Sequence, residues 1–112
     1  YSDLITSRGF KYVFQTSATA GSQAEQSLPV IMKLAQSTGA QPKTVAIITD
    51  NTGASVASVK PMRERLLKEL GLQLVVDETF TPPLSDATSL IQKVRAARAA
   101  YETARKAVRG VL

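Results

Sequence analysis

The sequence contains no cysteine and no histidine. The first absence excludes a disulfide framework and thiolate chemistry. The second removes the commonest general base and the commonest metal ligand. No apolar run approaches the roughly 18 residues that a membrane span needs. The start at Tyr1, without a methionine or a secretion signal, reads as that of a mature or excised piece. What is present is ordinary for a globular protein: 44% hydrophobic and 21% charged residues. At 112 residues the chain reads as a single α/β domain over 1–112 with a modest core.

The net charge of +5 is uneven. Lys93, Arg95, Arg98, Arg105, Lys106 and Arg109 face Glu102 alone between residues 93 and 109. The remainder of the chain is balanced, so the basic character belongs to the last segment.

Residues 44–59 organise the rest. Val45 to Ile48 is a β-branched apolar run, which reads as a central strand of a parallel sheet, buried on both faces. It stops at Thr49-Asp50-Asn51-Thr52-Gly53, a cluster of turn and helix-capping residues. A helical pattern follows from about Ala54 to Leu70, with Val56, Val59, Met62, Leu66 and Leu70 as its inner stripe. Strand, polar turn and helix make half of a βαβ unit. In open α/β sheets ligands bind at the carboxyl ends of strands, which places binding at Asp50 to Ala54.

Before this unit, Lys11-Tyr12-Val13-Phe14-Gln15 reads as a first strand. Small and hydroxyl residues follow it, Thr16-Ser17-Ala18-Thr19. A helix is expected from about Ser22 to Ser37, burying Leu28, Ile31, Met32 and Ala35 and stopping at Gly39. Pro29 and Pro61 each predict a local bend. After the central unit, Leu72 to Thr79 reads as a third strand. Ser85 or Asp86 caps a final alanine-rich helix from Ala87 to Arg109. Its Leu90, Val94, Ala97, Tyr101, Ala104, Val108 and Val111 alternate four and three apart, a heptad seam. A helix of this length spans about 35 Å, more than a small sheet needs. The expected order is β-α-β-α-β-α: a short parallel sheet flanked by helices, flavodoxin-like, with a long C-terminal helix.

The ordered set of segments also resembles a known family. Ser7-Arg8-Gly9-Phe10-Lys11-Tyr12-Val13-Phe14-Gln15-Thr16 resembles the start of the second lobe in amino-acid-type periplasmic solute-binding proteins of ABC transporters. Leucine/isoleucine/valine-binding proteins and their aromatic-acid-binding cousins are the nearest in pattern. Lys43 to Asp50, Leu70-Gly71, Asp77-Glu78-Thr79-Phe80-Thr81 and Ser85-Asp86-Ala87-Thr88-Ser89-Leu90-Ile91 continue the match to about residue 98. Three positions depart from it. Ala54-Ser55 stands where many members carry Tyr-Gly, which implies a wider pocket. Gln15 stands where many have Arg. After Arg98 the family continues with Pro-Asp and a further strand, whereas this chain reads on as helix, so 99–112 is an atypical extension.

The resemblance implies a binding protein and not an enzyme. The implied location is the periplasm, with a branched-chain or aromatic carboxylate as ligand, a membrane permease of an ABC transporter as partner of the parent protein, and no cofactor. The implied contacts are Thr16, Ser17, Ala18, Asn51, Thr52, Gly53, Ala54 and Phe80, one jaw of a two-lobed clamp. A fragment alone is expected to bind weakly, because enclosure is lost.

Other readings stand beside this one. Asp50-Asn51-Thr52-Gly53 is either a ligand-facing turn or a well-capped βα turn, and Ser17 and Thr19 carry the same ambiguity. Phe80 is either an aromatic wall or core. Asp50, Asp77 and Glu78 at strand ends suggest a receiver-like domain with a cation site, though no spacing requires it. The basic helix has too little aromatic interleaving for nucleic acid and reads as a solvated face around the seam. That seam, residues 90–111, either covers the sheet or pairs with a second copy. A further alternative is an engineered or excised α/β scaffold that self-associates without ligand.

Overall fold

In a computed structural model, which describes residues 4–111, the chain folds as a two-stranded parallel sheet between helices. The elements are α1 (Leu4–Ser7), α2 (Ala20–Ser37), β1 (Thr44–Asp50), α3 (Gly53–Pro61), a π-helical turn (Met62–Leu66), α4 (Leu67–Glu69), β2 (Gln73–Phe80) and α5 (Thr88–Val111). The α/β class, the short parallel sheet and the long last helix agree with the sequence reading.

Local chemistry sets most boundaries. Thr19 caps α2, its Oγ1 accepting from Ser22 N–H at 3.2 Å, so the helix starts at Ala20 and not at Ser22. At its end Gly39 takes φ +83°. Ala40 N–H donates to Ala35 O at 3.1 Å and Gly39 N–H to Gln36 O at 3.0 Å, a closure that needs a left-handed residue. The same closure ends α4. Gly71 has φ +69°, and Leu72 N–H donates to Leu67 O at 2.7 Å. The bend expected from Pro61 takes the form of the π-helical turn that follows it. There the bonding widens, with Leu67 N–H reaching Met62 O. At Pro29 the helix runs through.

The sheet pairs Thr44 with Gln73 and Asp50 with Phe80, with an irregularity after Val45 that leaves Val75 as the extra residue. One face is closed by α2, α3 and α4 around Met32, Ile47, Val59, Leu67 and Leu72. On the other face lies α5, with Leu90 buried and Val94, Ala97 and Tyr101 half-buried. Lys93 Nζ reaches Glu78 Oε1 at 2.8 Å across this contact.

Several expectations fail for one shared reason. Lys11–Gln15 is turn and irregular chain, not a strand, and Tyr12 and Phe14 are 82% and 81% exposed. β-forming residues make a strand only where a ladder and a covering layer exist, and this segment has neither. The order is therefore α-α-β-α-α-β-α, with α3 and α4 joined through the π-helical turn. Nor is β1 buried on both faces: Ile47 is covered, whereas Ala46 and Ile48 are exposed, because α5 packs against β2. Among the described residues, one edge of β1 carries no partner strand. On α2 the inward line is Ala20, Ala24 and Met32, buried, with Leu28 half-buried, while Ile31 faces outward at 58% exposure. Val56 is likewise exposed.

Candidate functional site

The turn after β1 is held by its own side chains. Asp50 Oδ1 accepts from Thr52 N–H at 2.8 Å and from Thr52 Oγ1 at 2.5 Å. Ser55 Oγ lies 3.1 Å from the same hydroxyl. These bonds, the Thr52 hydroxyl foremost, hold the Asp50 carboxyl below its ordinary value. Thr52 is the N-cap of α3 but makes no side-chain cap bond. Its carbonyl already accepts from Val56 N–H at 3.0 Å. The amides of Gly53, Ala54 and Ser55 thus belong to the first turn, where intrahelical acceptors are absent.

Asn51 joins the two strand ends. Its N–H donates to Phe80 O at 3.0 Å, and its Nδ2 donates to Thr81 Oγ1 at 2.9 Å. Asn51, Thr52, Gly53 and Ala54 are exposed, and Phe80 is half-buried.

The loop before α2 forms the second part. Thr16, Ser17 and Ala18 are exposed. Their backbone is tied inward: Gln15 Nε2 donates to Ser17 O at 3.1 Å, and Gln23 Nε2 to Ala18 O at 3.0 Å. The amino ends of α2 and α3 come together here. A cleft of about 640 Å³ runs between them, with Thr19, Ser22 and Glu25 on one wall and Gly53, Val56 and Lys60 on the other. This volume lies within the range of small-molecule sites.

Of the eight residues expected from the sequence, Gly53 lines this cleft. Asn51, Thr52, Ala54 and Phe80 cluster at the sheet end beside it, and Thr16, Ser17 and Ala18 precede the helix on its other wall. Sequence reasoning missed Ser22, Glu25, Val56 and Lys60. The available signal was the match of small residues, Gly21-Ser22 against Gly53 and Ala57, which lets two helix starts approach. Lys60 lies 4.0 Å from Glu64, so a cation and a carboxylate share the far end of the cleft.

The three-carboxylate reading is not supported by the geometry. Asp77 is held by Arg63 through two bonds of 2.8 and 2.5 Å, and Glu78 pairs with Lys93. Consecutive strand residues point to opposite faces, so Asp77 and Glu78 are directed away from each other, and the Asp50 carboxylate is taken up by Thr52. Among the described residues no three potential ligands converge on a metal position. Among them, too, no helix is long and apolar enough to cross a membrane.

The family model described as periplasmic binding protein matches residues 1–104. Leu/Ile/Val-binding protein homolog 8 of Brucella abortus (strain 2308) is 30% identical over 95 residues, 83% of this chain and 24% of the relative. The proteins of that name from Brucella suis and Brucella melitensis match to the same extent. The chain belongs to the periplasmic binding protein family. It spans about a quarter of the length of the curated relatives it matches. No solved structure matches it.

Proposed function

We propose that this chain supplies one jaw of a solute clamp, in a periplasmic protein that captures a small carboxylate for an ABC-transporter permease. The observation that carries the reading is the convergence of two helix amino ends at one cleft. The helix dipoles and the first-turn amides of α3 favour an anion there, while the lining carboxylates Glu25 and Glu64 are paired with Arg65 and Lys60. In the closed clamp the ligand extends from this cleft to the loops beside it, Thr16, Ser17 and Ala18 on one side and Asn51 to Ala54 on the other, with Phe80 as an apolar neighbour. The relatives' name, which refers to leucine, isoleucine and valine, supports a branched-chain ligand. The absence of a bulky side chain at Ala54 suits an aromatic acid equally. The role is binding and not catalysis, and it is exercised in the periplasm.

Alone, the chain binds weakly, because the cleft is open on one side. Thermal unfolding against leucine, isoleucine, valine and benzoate tests this. A ligand selective for the folded state at ten times its Kd stabilises by about 1.4 kcal/mol, which raises the midpoint by several degrees, roughly 5 °C or more. A flat response across the whole panel would remove the proposal for this chain.

A homodimer through residues 90–111 is the second reading. Beyond Glu102 the heptad seam continues as Ala104 and Val108, both exposed, Val108 at 62%. Such a dimer brings two basic helices together, so added salt strengthens it. Sedimentation at two salt concentrations tests it, and a concentration-independent monomer at both rules it out.

A further inference from the structure

The far end of the molecule carries a second concavity that the clamp does not use. It lies between the loop entering β1 and the second half of α5, and has a volume of about 700 Å³. Lys43 and Thr44 form one side; Arg98, Tyr101, Glu102, Arg105 and Arg109 form the other. Because Thr44 opens β1 and Asp50 closes it, this cleft sits at the opposite end of the strand from the candidate solute site.

Its charge is unbalanced. Four cations face one carboxylate. The ion pairs among the described residues join Lys60–Glu64, Arg63–Asp77, Arg65 with Glu25 and Glu69, and Lys93–Glu78. None of these involves Lys43, Arg98, Arg105 or Arg109. Carboxylates are used up elsewhere, and like charges are left side by side in a concave surface, where the field is focused.

The spacing points to the occupant. Arg98, Arg105 and Arg109 share one helix stripe, about 10 and 6 Å apart along an axis of about 16 Å. A single small anion meets one or two of them. Carboxylates carried at alternate or i, i+4 positions of a polypeptide recur at about 6 Å and reach all three. Glu102 stands in the middle of the stripe. It repels a backbone that is charged at every step, such as a nucleic acid strand, but accepts a peptide N–H. We infer that this cleft docks an acidic segment of a partner polypeptide, through charge-assisted bonds from Arg98, Arg105 and Arg109 and Lys43.

The test uses the 112-residue chain and a fluorescein-labelled octaglutamate peptide, read by anisotropy at low salt. An octalysine peptide, a thymidine octanucleotide, inorganic phosphate and anionic vesicles serve as comparison arms. The expected result is saturable binding of octaglutamate that weakens with salt and is not displaced by millimolar phosphate. Arg105→Glu with Arg109→Glu lowers the affinity by about tenfold or more. Lys33→Glu with Lys68→Glu makes the same change in net charge on exposed positions away from the cleft, and alters it by less than about twofold. If the double Glu variant does not fold by circular dichroism, Arg105→Gln with Arg109→Gln replaces it. Equal loss in both pairs, no binding of octaglutamate, tighter binding of the oligonucleotide or vesicles, or full competition by phosphate would each overturn the inference. A failure here leaves the solute clamp untouched, since the two sites lie at opposite strand ends.

Discussion

Asn51 Nδ2 donates to Thr81 Oγ1 at 2.9 Å across 30 residues of sequence. Together with the bond from Asn51 N–H to Phe80 O, it ties the ends of β1 and β2 at the lip of the solute cleft. Asn51→Ala keeps the backbone bond and removes the side-chain one. The expected cost is about 0.5–1 kcal/mol, the net worth of a neutral hydrogen bond, read from urea unfolding. Hydrogen exchange at the amides of residues 51–54 should quicken in the same variant. An unchanged midpoint and unchanged exchange would show that the tie holds nothing.

The core on the α3 side is small, so each member matters. Leu67 is 5% exposed and packs with Met32, Ile47, Val59 and Leu72. Leu67→Ala should cost about 2–5 kcal/mol, from lost transfer energy and the cavity left behind. For a domain of this size that is a large part of total stability. Ile31→Ala, on an outward position of α2, should cost well under about 1 kcal/mol. Equal losses from the two would contradict the burial pattern.

Two glycines should respond in opposite directions to alanine. Gly71 has φ +69° and open space around its Cβ position. Gly71→Ala therefore meets only the conformational penalty of a left-handed residue, about 1–2 kcal/mol. Gly110 lies inside α5 with nothing near its Cβ position. Gly110→Ala should stabilise, by at most about 1 kcal/mol and by less where the helix end frays. Thermal midpoints of the two variants give the sign directly.

Asp50 and Asp86 make the same local cap, each with Oδ1 accepting from the N–H and hydroxyl of the threonine two residues on. Both carboxyls are held below the ordinary 3.8, chiefly by the hydroxyl bond. The unfolded chain then binds protons more readily than the folded one, so stability falls with falling pH. The contribution is whole above 3.8 and fades as pH drops through the depressed folded-state values. Asp50→Ala should be less stable than the parent at neutral pH, and the gap should narrow as the pH falls below 3.8. A gap that persists at low pH would mean the carboxylate charge is not what holds the turn.

The parts of the fold legible in the sequence are those set by neighbouring residues. The bounds of β1, the stops at Gly39 and Gly71, the disturbance at Pro61 and the start of α5 all follow from short-range chemistry. The parts that failed depend on what lies across from a segment. Lys11–Gln15 has the composition of a strand, yet no ladder reaches it. Periodicity showed that α2 is amphipathic, but choosing Met32 over Ile31 for the interior required the position of α3. The heptad of α5 was correct as a pattern, and only its first half, from Leu90 to Tyr101, meets the sheet. At the site, Gly53 was legible as part of the polar turn between a strand and a helix. Ser22 and Lys60 were not, because their place on the cleft arises only when α2 and α3 lie side by side.

The most direct test of the central claim is a titration of the isotope-labelled chain with leucine and with benzoate, followed by amide chemical shifts. A jaw of a carboxylate clamp predicts saturable shifts with one of the two ligands, largest at Gly21, Ser22, Gly53, Ala54 and Ser55, where the two helix amino ends face the cleft. Amide shifts that are absent with both ligands, or confined to α5 and the loop before β1, would contradict it.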